Sequence, residues 1–278
     1  MSVGADDQTT MSGTGHHVKS VQKLFQIVEA LDERESMGVT ELARETDIAK
    51  SSVYKYLDTL SHLGFVTKRD SAYSLSTRWY EVGRGVRERN DVYRVAKSEL
   101  ERLARRTGET VSLVVEEDGD AVYLYQVSDR ETPVAPVAEG ERIPSPISVG
   151  GKAILSYRPI NEVETMLAEQ DLDEGFDQLA SELRMLRNQR MVIERESPRR
   201  GTFSAGAFEG HRHVVGHGEP YQNLHSVAVP IRDPDNYAVA AIEMSGSESS
   251  LYGRRLEDEI ASLLVNASKS IETVLLNE

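Results

Sequence analysis

The sequence predicts an α+β protein in which a small helical unit with a two-stranded wing precedes a larger domain built on an antiparallel sheet. Up to about residue 107, apolar residues recur mainly at helical spacing, and short extended runs at 65–68 and 73–75 interrupt them. From Thr110 onward, β-rich runs are mixed with helical stretches. This mixture is typical of an α+β domain with an antiparallel sheet.

The length of the chain favours two domains, since it has 278 residues. We expect a disordered arm at 1–15, where Gly, Ser, Thr and Asp prevail. A first domain is predicted at 16–76, a linker helix at 77–90 and a second domain at 91–278.

Composition excludes several classes of protein. The chain has no cysteine, so it has neither a disulfide framework nor a cysteine-ligated metal. Its first residues lack the cationic start and apolar core of a signal peptide, and no apolar run approaches membrane-spanning length. We therefore expect a cytoplasmic protein without a membrane partner. The formal net charge of −14, with 24 arginines against 8 lysines, resembles that of proteins from salt-loving archaea.

The N-terminal unit begins with a predicted helix over 17–33. Its apolar stripe comprises Val18, Val21, Leu24, Phe25, Val28 and Leu31. A short helix is predicted from Thr40, which we take as its N-cap, and a turn follows at 46–47. A second helix runs from Lys50 to about His62, where Gly64 ends it.

The second helix has two different faces. Val53, Leu57 and Leu60 recur at intervals of four and three, so they pack inward. The opposite face carries cations, hydroxyls and a phenol near the helix start, and such groups suit phosphate oxygens and base edges. Together with the wing, this arrangement presents one helix to the DNA major groove. The alternative interpretation is a helical hairpin with a solvated polar face.

The residues expected to contact DNA lie on these two helices and on the wing. They are Thr40, Lys50, Ser51, Ser52, Tyr54, Lys55, Lys68, Arg69 and Tyr73. Between residues 49 and 69, four cations face a single carboxylate, so the segment carries a charge of +3 on an acidic chain. Phosphate contact requires such a local reversal, because neutralised phosphates supply most non-specific affinity.

Behind the wing, Trp79, Val82 and Val86 lie at helical spacing and predict the linker helix, with Trp79 as a packing anchor. The second domain then contains predicted strands at 110–116, 121–127, 226–231 and 237–245, and helices after 148, near 160–170, at 178–195 and at 256–277.

Four tracts resemble the IclR family of transcriptional regulators and fall in family order. They are TELARETDIAKSSVYKYLDTLSHLGFV at 40–66, TGET at 107–110, GGKAIL at 150–155 and VAVPIRDPDNYAVAAIEMSG at 227–246. The resemblance covers most of the chain. It implies a winged helix-turn-helix domain joined to a GAF-like effector-binding domain, a homodimer or homotetramer on a palindromic operator, and a small organic-acid effector. It implies no cofactor and no enzymatic activity.

The resemblance also places an effector site. The residues that match the family's pocket are Val149, Gly150, Gly151, Ser226, Glu243 and Ser245. Small residues at the helix start at 149 would let backbone N–H groups approach an acid. The alternative is a tight turn packed against the sheet, and Lys152 could brace that turn. Glu243 departs from the family pattern, because a carboxylate there repels an acid ligand unless it is neutralised.

The main departure from the family is the segment 196–224, which is rich in Gly, His and Arg. His217 and Glu219 are the nearest candidates for the family's acidic pocket residue. The histidines at 211, 213, 217 and 225 also suggest a zinc or iron site, although their spacing matches no known metal motif. A mobile loop over the pocket and an error in the coding sequence are the other interpretations.

Three function classes therefore stay open. The first is a DNA-binding regulator that responds to an effector, and the second is a ligand-independent repressor or architectural protein. The third is a metal-dependent enzyme, for which the sequence has no nucleophile elbow, HExxH motif or paired-carboxylate signature.

Overall fold

The computed structural model describes residues 17–130, 135–169, 175–194 and 224–277. The chain divides into two compact units, one ending at Gly85 and the other beginning at Val86. The predicted arm at 1–15 and nearly all of the segment 196–224 lie outside the described residues. The α+β class with an antiparallel sheet is confirmed.

The N-terminal unit is a helical cluster with a small sheet. Its elements are α1 (Lys19–Arg34), β1 (Met37–Gly38), α2 (Val39–Glu45), α3 (Lys50–His62), β2 (Val66–Arg69), β3 (Ala72–Leu75) and the start of α4 (Arg78–Glu88). The strands pair antiparallel in the order β1-β3-β2. The helices pack around a core that contains Ile27, Leu31, Leu42, Val53 and Leu57, all fully or almost fully buried.

Two local features of this unit differ from the sequence-based expectation. The helix α2 begins one residue earlier, and its N-cap is Gly38, whose N–H donates to the Glu41 carboxylate at 2.8 Å. Thr40 is therefore not the cap. The apolar stripe of α1 is buried only in its second half, since Val21 and Phe25 are exposed while Leu31 is buried.

The helix α4 contains no buried residue. Trp79 is nevertheless half-buried against the wing, because its ring lies 4.7 Å from that of Phe65 and its Nε1 donates to the Phe65 carbonyl at 3.0 Å. This agrees with the prediction that Trp79 anchors the helix. Val82 and Val86 are exposed.

The C-terminal unit contains a six-stranded sheet with helices on both faces. Its elements are α5 (Asp91–Thr107), β4 (Thr110–Glu117), β5 (Asp120–Val127), β6 (Arg142–Pro144), a 3-10 turn (Ser145–Ile147), α6 (Val149–Leu155), α7 (Ile160–Glu169), α8 (Phe176–Gln189), β7 (Val192–Glu194), β8 (Leu224–Arg232), β9 (Ala238–Ser247), a π-helical turn (Arg255–Ile260) and α9 (Ala261–Leu275). The strands are antiparallel throughout, in the order β6-β5-β4-β9-β8-β7.

Alternation along the strands divides the interior into two apolar layers. On one face, Leu113 and Ile242 pack against α5 and α9. On the other face, Val114 and Ala241 belong to a layer with α6, α7 and α8. The second layer is the one that positions the predicted effector residues.

Sharp turns occur where the sequence allows them. Asp118 and Gly119 have positive φ values of 53° and 88° and connect β4 to β5. Asn90 caps α5, since its side chain accepts a hydrogen bond from the Tyr93 N–H at 2.9 Å.

Among the residues that are described, no helix is both long enough and apolar enough to cross a membrane.

Candidate functional site

The helix α3 presents one buried and one exposed face. Val53, Leu57 and Leu60 are at most 3% exposed and hold the helix against the core. Gly64 has a φ of 79° and turns the chain into the wing, as a left-handed residue after a helix commonly does. The helix therefore has a fixed position from which its other face meets solvent.

The exposed face of α3 carries most of the predicted DNA contacts. Lys50, Ser51, Tyr54 and Lys55 are exposed, and Ser52 is half-buried. Tyr54 is a large aromatic residue, and 56% of its surface is accessible to solvent. Within the described ranges, the side chains of Lys50, Tyr54 and Lys55 make no hydrogen bond or ion pair, so they are available to an external ligand.

The start of α3 also offers backbone donors. Its N-cap is Ala49, which provides no side-chain hydrogen bond to the first turn. The first N–H groups of an α-helix have no partner inside the helix, and they bind phosphate oxygens well. The cation of Lys50 lies at the same end.

On the wing, two of the three predicted contact residues are exposed and the third is buried. Lys68 and Arg69 are exposed at the end of β2, next to a turn where Asp70 has a φ of 55°. Tyr73, which we predicted to contact DNA, is only 5% exposed and belongs to the core. It is buried because its side chain lies on the face of β3 that packs against the helices of this unit. Its ring instead lies 5.3 Å from the Lys68 ammonium.

One candidate was missed by the sequence interpretation. A surface hollow is lined by Thr40 and Arg44 of α2 and by Ala49 and Lys50 at the start of α3. Arg44 is exposed and lies one turn after Thr40, so both belong to the same side of α2. The spacing of four residues from Thr40 could have identified Arg44 in the sequence as a further candidate for phosphate contact.

The predicted effector residues that the structure describes lie close together. Ser245 pairs with both Thr110 of β4 and Ser226 of β8, and Glu243 pairs with Ser112 and Ala228. These positions share the face of the sheet that α6 covers, and Val149, Gly150 and Gly151 form the first turn of that helix. His217 and Glu219 lie outside the described residues.

Glu243 is the centre of a buried hydrogen-bond network. It is 1% exposed, and its Oε2 accepts from the Gly150 N–H and from the Tyr123 hydroxyl, both at 2.9 Å. Its Oε1 lies 3.4 Å from the Ser245 hydroxyl, which donates to it. Ser245 in turn shares a hydrogen bond of 2.8 Å with Ser226.

The network continues from Tyr123 to the cap of α6. Tyr123 Oη and Ser148 Oγ are 3.1 Å apart. Because Tyr123 donates its proton to Glu243, the Ser148 hydroxyl is the donor of this second bond. Ser148 Oγ also accepts from the Gly151 N–H at 3.0 Å and thereby caps α6. Sequence interpretation missed Tyr123 and Ser148, since neither belongs to a recognisable motif.

Packing alone accounts for both glycines at the start of α6. A Cβ on Gly150 would lie 2.7 Å from Val114 Cγ2 and 3.1 Å from Glu243 Oε2. A Cβ on Gly151 would lie 2.4 Å from the Ser145 carbonyl oxygen. Lys152 braces the same turn, because its Nζ lies 3.1 Å from Glu182 Oε1 of α8. These contacts match the tight-turn interpretation considered above.

No group of three or more His, Asp or Glu residues suited to a metal ion occurs in the described part of the chain. His225 is 4% exposed, and its Nδ1 lies 3.0 Å from the Leu251 carbonyl oxygen. The other histidines of the suggested metal site, at 211, 213 and 217, lie outside the described residues.

Two family models match this chain. The IclR helix-turn-helix domain matches residues 20–70, and the C-terminal domain described as "Bacterial transcriptional regulator IclR C-terminal" matches residues 85–209. Together they span more than half of the sequence, and both describe transcriptional regulators rather than enzymes.

Full-length relatives agree with these matches. The probable HTH-type transcriptional regulator ArcR of Halobacterium salinarum is 24% identical over 97% of this chain and 98% of its own. The structure of the Thermotoga maritima IclR covers 93% of this chain and 99% of its own, with a TM-score of 0.69 and 23% identity. An IclR homologue of Microbacterium hydrocarbonoxydans complexed with 4-hydroxybenzoate covers 91% and 98%, with a TM-score of 0.67 and 20% identity.

The two family models match the two units in order, and the two solved structures show the same fold over nearly the whole chain. The exposed face of α3 and the wing are where a helix-turn-helix protein meets DNA. The chain belongs to the IclR family of DNA-binding transcriptional regulators.

Proposed function

We propose that this protein binds a palindromic operator as a homodimer or homotetramer in the cytoplasm, and that a small organic acid in the C-terminal domain modulates this binding. The observation that carries the DNA-binding half is the exposed face of α3. Lys50, Tyr54 and Lys55 project from a helix whose opposite face is buried, so the backbone that carries them is held in place before DNA binds.

The proposed division of labour follows chemistry. Lys55 and Tyr54 lie within the helix and can reach base edges, whereas Lys68 and Arg69 on the wing contact phosphates. Thr40, Ser51 and Ser52 add hydroxyl donors to the phosphate backbone at the start of each helix.

The proposed oligomeric state is supported by exposed apolar side chains in the N-terminal unit. On α1 and just before it, Val18, Val21 and Phe25 are 61%, 50% and 48% exposed at helical spacing. On α4, Tyr80 and Val82 are 67% and 48% exposed. Exposed apolar side chains that share a helix face favour a protein contact, and a twofold-symmetric dimer requires a palindromic operator.

In vitro selection tests the operator-binding half of the proposal. The full chain is incubated with random double-stranded DNA at several salt concentrations, and bound fragments are sequenced. We expect an inverted repeat to be enriched, and fragments flanking the protein's own gene to be shifted in gels. Binding without sequence preference at every salt concentration would contradict the proposal.

The effector half is supported by the 4-hydroxybenzoate bound in a family member of the same fold. Calorimetry with aliphatic, aromatic and sugar acids tests it, with operator affinity measured at a saturating concentration of each acid. An effector changes operator affinity, and the operator changes effector affinity by the same factor.

One observation favours a second candidate, a ligand-independent DNA-binding repressor. The donors that an acid effector would use at the start of α6 already serve the Glu243 carboxyl group. For this candidate, calorimetry shows no heat with any acid while operator binding is retained.

A further inference from the structure

We propose that Glu243 is an internal ligand: its carboxyl group occupies a carboxylate-binding site formed by Gly150, Tyr123 and Ser245, and thereby excludes small free carboxylates from it. The proposal rests on the proposed function only in treating the C-terminal unit as the effector domain.

The first argument is the donor geometry. Oε2 of Glu243 accepts two hydrogen bonds of 2.9 Å, from the Gly150 N–H and from the Tyr123 hydroxyl. Oε1 faces the Ser245 hydroxyl at 3.4 Å. Donors from three separate elements thus converge on one carboxyl group, which is the arrangement that recognises a carboxylate.

The second argument is burial. Glu243, Tyr123 and Ser245 are 1%, 1% and 2% exposed, and Gly150 is buried as well. A donor in such a place needs an acceptor, because an unsatisfied buried N–H or hydroxyl is costly. The Tyr123 and Ser245 hydroxyls also have Ser148 and Ser226 within hydrogen-bond distance, so the Gly150 N–H is the donor that depends on the acceptor from β9.

The third argument is the chemical identity of the occupant. Beyond its Cβ, a glutamate side chain consists of one methylene group and one carboxyl group, which is an acetate unit attached to the chain. The register fixes it in place, since Glu243 lies on β9 opposite Ser112 of β4 and Ala228 of β8. The substitution Glu243→Ala removes a fragment with the shape of acetate and leaves its donors behind.

The space beside Gly150 is also matched to this occupant. A Cβ at position 150 would lie 3.1 Å from Glu243 Oε2 and 2.7 Å from Val114 Cγ2. No further atom therefore fits between the carboxyl group and Gly150, and a second carboxylate cannot share the same donors. In the wild-type protein an acid effector binds without using the Gly150 and Tyr123 donors.

Chemical rescue tests the proposal. The full-length wild type and the Glu243→Ala, Glu243→Gln and Glu248→Ala variants are melted in sodium acetate and in sodium chloride of equal concentration. We expect acetate to raise the Tm of Glu243→Ala by about 2–5 °C over chloride. The other three proteins should show no difference between the two salts.

The two controls separate different explanations. Glu243→Gln keeps the shape of the side chain and a carbonyl acceptor, so it fills the site without the charge. Glu248 is exposed in the turn that follows β9, so Glu248→Ala makes the same charge change away from the site. Acetamide, a neutral molecule of similar shape, should raise the Tm of Glu243→Ala less than acetate.

A further variant tests whether the Tyr123 hydroxyl donates to the bound acetate. In the Glu243→Ala/Tyr123→Phe double variant one donor is missing, so half-saturation by acetate should require at least a several-fold higher concentration. Equal acetate effects on wild type and Glu243→Ala would overturn the proposal, and so would the absence of any effect on Glu243→Ala. If Glu243→Ala folds in neither salt while Glu243→Gln folds, the proposal is also overturned, because acetate should restore the missing acceptor. Operator binding does not enter these measurements, so a failure of the proposed function is scored separately.

Discussion

Trp79 Nε1 donates a hydrogen bond of 3.0 Å to the carbonyl oxygen of Phe65, and the two rings lie 4.7 Å apart at an interplanar angle of 58°. This contact joins the linker helix to the wing. Trp79 is the only tryptophan in the chain, so its emission reports on the N-terminal unit.

Phe65→Leu should weaken this contact, because it removes the aromatic partner and keeps the carbonyl acceptor. We expect the free energy of unfolding of the N-terminal unit to fall by about 1 kcal/mol, seen as an earlier urea midpoint of the Trp79 emission. Tyr54→Leu is the matched control, since Tyr54 is 56% exposed and unfolding is measured without DNA. Equal shifts in both variants would show that the ring contact contributes no stability.

Lys55→Ala should weaken operator binding by about 1–3 kcal/mol if Lys55 reads a base edge, and leave binding of an effector unchanged. Gel shifts with the selected operator and with a scrambled duplex measure the change. Lys97→Ala is the control, because Lys97 is an exposed lysine on α5, outside the predicted interface. Equal losses for the two variants would mean that only overall charge matters.

The wing cations should determine part of the salt dependence. The logarithm of the DNA-binding constant falls with the logarithm of the salt concentration, with a slope of about −0.9 for each phosphate contact. The Lys68→Ala/Arg69→Ala double variant should therefore have a slope that is about 2 less steep. Affinity should fall by a similar factor for operator and scrambled DNA. An unchanged slope would place both wing cations away from the phosphates.

Gly150 and Gly83 provide a matched pair of glycine substitutions. Gly150→Ala should destabilise the C-terminal unit by about 1–3 kcal/mol, since the new Cβ overlaps Val114. Gly83→Ala should raise stability by up to about 1 kcal/mol, because Gly83 is exposed within α4 and its Cβ would meet no atom within 4 Å. Thermal unfolding followed by circular dichroism measures both. A neutral Gly150→Ala would mean that the start of α6 tolerates more space than the structure shows.

The sequence predicted helices better than it predicted which strand residues are buried. The apolar period of Val53, Leu57 and Leu60 placed α3 at its observed bounds, because a long amphipathic helix has one consistent inner face. Tyr73 was misassigned because β3 has only four residues, and packing against the helices decides which of its faces is covered. No periodic signal reveals so short a strand.

The candidate ligand site was predictable in its location but not in its chemistry. The resemblance to the family placed Gly150, Glu243 and Ser245 together, and they do lie on one face under α6. That the Glu243 carboxyl group meets the Gly150 N–H depends on strand register and on a close approach to Val114. Those distances depend on tertiary packing. The sequence alone therefore suggested that the Glu243 carboxylate repels an acid, whereas in the fold it accepts hydrogen bonds.

The position of Glu243 has a consequence for how this regulator can evolve. Glutamate codons differ from those for alanine, glycine and glutamine by a single nucleotide. On the proposal made above, one point mutation converts a domain that supplies its own carboxylate into one that depends on a carboxylate from its surroundings. After gene duplication, a copy whose site is filled by its own side chain and a copy whose site is filled by a free carboxylate would differ by that one base change.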